Sequence, residues 1–136
     1  MKILLVFGSR PEAIKLLPII HLLQTRVDRG EVELIVCITA QHRDMLDQVL
    51  KLFNVYVDYD LDVMIRNQTP SCVASAVISA FEGVIQKESP DWVVVQGDTT
   101  TVASAALTSF YSGVPVAHVE AGLRTYDRKN PFPEEI

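Results

Sequence analysis

Apolar residues in this chain fall into short unbroken runs that alternate with stretches repeating every three to four positions. Ile3 to Phe7 is a run of strand length, and Gly8-Ser9-Arg10 hands it to Pro11, whose fixed φ suits the start of a helix. Ile14, Leu17, His21 and Leu22 recur at helical spacing; Pro18 lacks an amide donor and predicts a bend, and the helix is expected to end near Arg26. Val32 to Ile38 reads as a second strand, with β-branched residues suited to a surface buried on both faces. From His42 to Phe53 the set Met45, Leu46, Val49, Leu50 and Phe53 makes an amphipathic helix. Asn54 to Pro70 carries scattered acids (Asp58, Asp60, Asp62) without a sustained period and reads as a long connection. Helical spacing resumes from Ser71 to Lys87 and stops at Ser89-Pro90. Trp92 to Val95 is a third strand, a small-residue helix follows from about Thr99 to Tyr111, and Val116 to Val119 is a fourth strand.

This alternation is that of an α/β chain, a parallel sheet wrapped by right-handed crossovers. Ligands of such sheets sit beyond the carboxyl ends of the strands. Four segments lie there: Gly8-Ser9-Arg10, Thr39-Ala40-Gln41-His42, Gln96-Gly97-Asp98-Thr99 and Glu120-Ala121-Gly122. Only the second lacks a glycine.

Composition narrows the picture. The 136 residues suit one domain, and 49 % hydrophobic with 21 % charged content fits a folded chain. At this length about two thirds of the unfolded surface can be buried, so no disulfide staple is needed and Cys37 and Cys72 read as buried thiols. Twelve Lys and Arg against seventeen Asp and Glu leave a net charge of −5. With no basic run, nucleic acid is not an expected partner. The apolar start is too short for a signal peptide or a membrane span, which places the chain in the cytoplasm.

The loop residues then limit the chemistry. G-S-R-P-E-A (Gly8 to Ala13) lacks the further glycines of a dinucleotide site, and no Walker-type phosphate loop or G-x-S-x-G elbow occurs. Cys and His spacing supports no metal site. Arg10 and Lys15, about one turn apart near the positive end of a helix, could hold a phosphate or diphosphate, or could be solvated charges. Asp98 stands where it could cap the next helix, worth about 1 kcal/mol, or serve chemistry. Glu120 ends an apolar strand, where burial is costly unless the carboxylate is bonded or used, so function is favoured. Glu134 and Glu135, after Pro131-Phe132-Pro133, alone read as helix-start charge. His42 and His118 could each be a titrating acid or base, but such a histidine is more often a polar group satisfied within the fold, and neither is assigned to catalysis. Carboxylates plus phosphate-binding cations suit proton transfer on a phosphorylated or nucleotide-linked substrate.

F-G-S-R-P-E-A-I-K (Phe7 to Lys15), T-A-Q-H-R-D-M-L-D-Q-V-L (Thr39 to Leu50), G-D-T-T-T (Gly97 to Thr101), H-V-E-A-G-L-R (His118 to Arg124) and P-F-P-E-E (Pro131 to Glu135) together resemble the non-hydrolysing UDP-N-acetylglucosamine 2-epimerases. The resemblance runs the whole length of the chain in order and spacing. It implies a Rossmann-like parallel sheet flanked by helices, the first half of a glycosyltransferase-B-like two-domain fold. Residues 1–136 would form the N-terminal domain, with the UDP-binding C-terminal domain outside this chain and the fragment alone inactive. It implies interconversion of UDP-GlcNAc and UDP-ManNAc through 2-acetamidoglucal, without cofactor or metal, by a homodimeric parent. The alternatives are the hydrolysing branch, which releases N-acetylmannosamine and UDP, and a nucleotide-sugar binding module without catalysis.

Carried over by position, the resemblance assigns Asp98, Glu120 and Glu134 as the carboxylates around C2 of the sugar and Arg10 and Lys15 as contacts to the nucleotide sugar. Some members bind a second UDP-GlcNAc as activator through glutamines matching Gln41 and Gln68. That transfer is weaker, because Asn67 stands where the activated members carry arginine. Further departures are Ser9 for threonine, Gln96 for histidine and Phe132 for tryptophan; none removes a carboxylate.

Overall fold

The apolar runs become the strands of one parallel sheet in a computed structural model, which describes residues 1–40, 43–65, 67–122, 124–127 and 129–130. The elements are β1 (Lys2–Phe7), α1 (Arg10–Val27), β2 (Glu33–Ile38), α2 (Arg43–Leu52), β3 (Tyr59–Asp60), α3 (Pro70–Glu88), β4 (Trp92–Gln96), α4 (Thr100–Tyr111) and β5 (Val116–Val119). The sheet order is β3-β2-β1-β4-β5, with every pairing parallel.

Side chains of the central strands alternate between two cores. Ile3, Leu5 and Phe7 of β1, Val36 and Ile38 of β2 and Val94 of β4 pack with Ala13, Leu16, Leu17 and Ile20 of α1 and Leu46, Val49 and Leu50 of α2. The intervening residues, Leu4, Val6, Ile35, Cys37, Val93 and Val95, pack with Val73, Val77, Phe81 and Val84 of α3 and Val102 and Ala105 of α4. This is a three-layer α/β/α arrangement in which β1 is covered on both faces, as its unbroken apolar run requires. Each such fully buried aliphatic or aromatic side chain is worth about 1.5–3 kcal/mol.

Two expectations are corrected here. The long connection contains β3, where Tyr59 and Asp60 pair with Cys37 and Ile38. Its acids disguise it, yet they hold the edge: Asp58 Oδ2 accepts from the Val36 amide (2.8 Å), and Arg43 donates to both Asp60 and Asp62. Cys72 is exposed rather than buried. It precedes the buried stripe of α3, which begins at Val73, and so turns about 100° away from the core. Pro18 lies within α1, which runs on to Val27. Among the described residues no helix is long and apolar enough to cross a membrane.

Candidate active site

The strand order reverses between β1 and β4: the chain steps outward through β2 and β3, then returns past β1 to lay down β4 and β5. A crevice at the carboxyl ends of the strands on either side of such a reversal is where open α/β sheets bind ligands. The loops that flank it are Gly8-Ser9 and Gly97-Asp98-Thr99, with Glu120 beside them after β5.

Glu12 ties the first two loops together. It is 2 % exposed; Oε2 accepts from the amides of Gly8 (2.9 Å) and Ser9 (2.6 Å), and Oε1 accepts from the Thr99 hydroxyl (2.6 Å). The amides of the strand-to-helix turn are thus already satisfied by an internal carboxylate. A phosphate at this helix start would have to rely on Arg10 and the remaining amides of the first turn. Farther out, the hydroxyls of Thr39 and Thr101 meet at 2.9 Å in a buried contact that joins the loop after β2 to α4.

Asp98 is not the helix cap. Thr99 takes that place, its hydroxyl accepting from the Val102 amide (3.3 Å). The Asp98 carboxylate is half-buried and has no hydrogen bond or ion pair among the described residues. Glu120 departs from its expectation in another way. It is not buried: β5 is a half-buried edge strand and the Glu120 side chain is 37 % exposed. Its Oε2 accepts from both the Lys15 ammonium and the Gln96 amide.

The last residues of β4 and β5 are paired, Gln96 with Val119, and the Gly97 amide donates to the Val119 carbonyl (3.1 Å). Asp98 and Glu120 therefore follow adjacent strand ends on the same rim. His118 Nε2 bonds the Gly97 carbonyl (2.7 Å), a polar group satisfied within the fold. Arg10 is exposed, without an ion pair or hydrogen bond among the described residues. The two cations are not presented as a matched pair, because Lys15 faces Glu120. Gln68 spends both ends of its amide on its own loop, Oε1 accepting from the Ile65 amide and Nε2 donating to the Val63 carbonyl. Gln41, His42 and Glu134 lie outside the described residues.

Two non-glycine residues of this rim have a left-handed backbone. Ala40 (φ 56°) and Glu120 (φ 62°) are left-handed without being glycine or asparagine. Such residues cost about 1 kcal/mol or more and cluster at functional sites. Ala40 takes the left-handed conformation that Gly97 and Gly122 take in the loops after β4 and β5, and no local sequence signal announces it. Glu12 did carry a signal that the sequence reading left unused, since Ser9-Arg10-Pro11-Glu12 has the spacing of a capping box.

The profile of the UDP-N-acetylglucosamine 2-epimerase family matches residues 25–136. The chain belongs to that family. A UDP-N-acetylglucosamine 2-epimerase of Neisseria meningitidis is 51 % identical over 135 residues, covering 99 % of this chain and 36 % of that protein. A crystal structure of the N. meningitidis UDP-GlcNAc 2-epimerase bound to UDP-GlcNAc superimposes with a TM-score of 0.88 at 51 % identity, over 99 % of this chain and 36 % of that one. A Methanocaldococcus jannaschii UDP-GlcNAc 2-epimerase in complex with UDP-GlcNAc and UDP gives a TM-score of 0.87 at 35 % identity, over 98 % of this chain and 36 % of that one. The chain thus spans about a third of the length of the curated relatives it matches. Its fold is the Rossmann-like unit of the family's glycosyltransferase-B-like architecture.

Proposed function

We propose that this chain is the N-terminal domain of a UDP-GlcNAc 2-epimerase that interconverts UDP-GlcNAc and UDP-ManNAc by elimination and re-addition of UDP. The observation that carries the reading is the pair Asp98 and Glu120 on the adjacent ends of β4 and β5, beside the switch point between β1 and β4, in a chain of this family. Structures of relatives that hold UDP-GlcNAc or UDP support the substrate class.

A C2 hydrogen with no neighbouring carbonyl is very weakly acidic. It leaves only as the C1–O bond breaks and positive charge grows at C1. In the forward direction the C2–H pair becomes the C1=C2 bond of 2-acetamidoglucal, a carboxylate takes the proton, and UDP departs with the C1–O electrons. UDP oxygen then adds back to C1 while C2 is protonated on the opposite face, which inverts that centre. Asp98, Glu120 and Glu134 supply the carboxylates in this account; they accept the proton, return it and stabilise charge at C1. Arg10 and Lys15 answer the charge of the diphosphate as it leaves. Lys15 would exchange Glu120 for the phosphate as charge moves.

The test uses the full-length polypeptide that carries this sequence. Incubation with UDP-GlcNAc in deuterium oxide is expected to place deuterium at C2 and to form UDP-ManNAc. Asp98→Asn or Glu120→Gln should slow both by about 100-fold or more. Release of free N-acetylmannosamine and UDP would assign the chain to the hydrolysing branch, and absence of C2 exchange in the folded protein would refute the proposal.

A further inference from the structure

Gln96 is the last residue of β4, 2 % exposed, and its side-chain amide donates to Oε2 of Glu120. The Lys15 ammonium reaches the same oxygen. With both donors on Oε2, the other oxygen, Oε1, receives no donor among the described residues. The two tethers differ in kind. The Lys15 side chain is 50 % exposed, charged and carried on a flexible stem. Gln96 is buried, neutral and fixed by the register of β4 against β5, which sets Gln96 opposite Val119, the neighbour of Glu120.

We propose that Gln96 is a positioning residue for Glu120. It holds Oε2 so that Oε1 is the oxygen that exchanges a proton with the substrate, and it keeps holding when Lys15 turns to a diphosphate. A carboxylate that is 37 % exposed on a left-handed backbone position would otherwise sample several rotamers. An amide suits the task because it donates to the carboxylate yet cannot titrate and so does not compete for the transferred proton. This inference rests on the assignment of Glu120 in the proposed function.

The experiment compares Gln96→Met, which preserves volume and removes the donor, with Gln96→His, which restores a ring N–H, both in the full-length polypeptide. Misplacing a reacting group by about 1 Å costs on the order of 100-fold. Gln96→Met is therefore expected to lower kcat about 10- to 100-fold with KM held within about threefold, and Gln96→His to recover most of that loss. Folding is checked by circular dichroism; should Gln96→Met not fold, Gln96→Leu also removes the donor at similar volume, with the same fall in kcat expected. Wild-type kcat in a folded Gln96→Met or Gln96→Leu protein, or no recovery in Gln96→His, overturns the tether. Glu120→Gln separates the two failures: if it retains activity, the role of Glu120 itself is wrong, whereas if it is inactive and Gln96→Met is fully active, only the role of Gln96 is wrong.

Discussion

The Thr99 hydroxyl donates to Oε1 of Glu12 over 2.6 Å, so the loop after β4 is fastened to the loop after β1 by a carboxylate that is 2 % exposed. Thr99 also caps α4, and it is the immediate neighbour of Asp98. The position of Asp98 on the rim thus depends on a contact made by a buried carboxylate. Glu12→Ala would leave the amides of Gly8 and Ser9 buried without an acceptor, at about 1–3 kcal/mol each. The expected loss is about 2–4 kcal/mol in urea unfolding of the chain. Thr99→Ala removes the cap and one partner of Glu12, for about 1–2 kcal/mol. The two substitutions share one bond, so their effects should sum to more than the double variant loses. Strict additivity would show that the clamp is not a unit.

Asp98→Asn tests the opposite point. Were Asp98 the cap of α4, this change would still leave a competent cap, whereas Asp98→Ala would cost about 1 kcal/mol. Because Thr99 does the capping, Asp98→Ala is expected to stay within about 0.5 kcal/mol of the parent chain in stability. The same substitution in the full-length polypeptide should abolish C2 exchange. A clear loss of stability would return Asp98 to a structural role.

Legibility in the sequence followed the range of the interactions. β1, β2 and β4 are apolar runs buried on both faces, so local composition declared them, and a helix start such as Pro11 is written in the chain itself. β3 could not be read that way: it is two residues long, flanked by acids, and exists through pairing with Cys37 and Ile38 far away in the chain. Glu120 illustrates the same limit. Its position after an apolar run suggested burial, but β5 is an edge strand, and edges are set by the order of strands rather than by their composition. Asp98 and Thr99 are both good caps in isolation, and only the fold shows which one turns toward the helix.

The two cysteines should separate cleanly by reactivity. Burial pushes the Cys37 thiol up to about 12, helped by the carboxylates of Asp60 and Asp58. Thiolate is the reactive form, so Cys37 is inert at neutral pH. Cys72 is exposed at the start of α3. Iodoacetamide at pH 8 is expected to modify one thiol in the native chain and two after unfolding in urea. Cys72→Ser should leave the native chain unmodified on the same timescale, and labelling of Cys37 before unfolding would contradict the buried site.

At the opposite end of the sheet from the crevice, Glu88 accepts from the Tyr59 hydroxyl and from the Lys2 ammonium (3.2 Å), joining the end of α3 to β1 and β3. The Tyr59 bond first, and the Lys2 bond next, hold the Glu88 carboxyl below its ordinary value of 4.5, while desolvation opposes them. A depressed carboxyl adds stability that is fully present above its unfolded value and is lost as pH falls through its folded value. Lys2 is raised by Glu88 and then Glu33, so its share is present below its ordinary 10.5 and is lost only as pH rises through its folded value. Between these limits both contributions act together. Glu88→Gln should therefore lower the urea midpoint by a constant amount from about pH 6 to 9, and the gap should close as pH drops below 4.5. Because the pair lies at the amino ends of the strands, C2 exchange by the full-length polypeptide should be unaffected at neutral pH. A stability gap that persists unchanged to pH 3 would show that Glu88 acts through packing rather than through its charge.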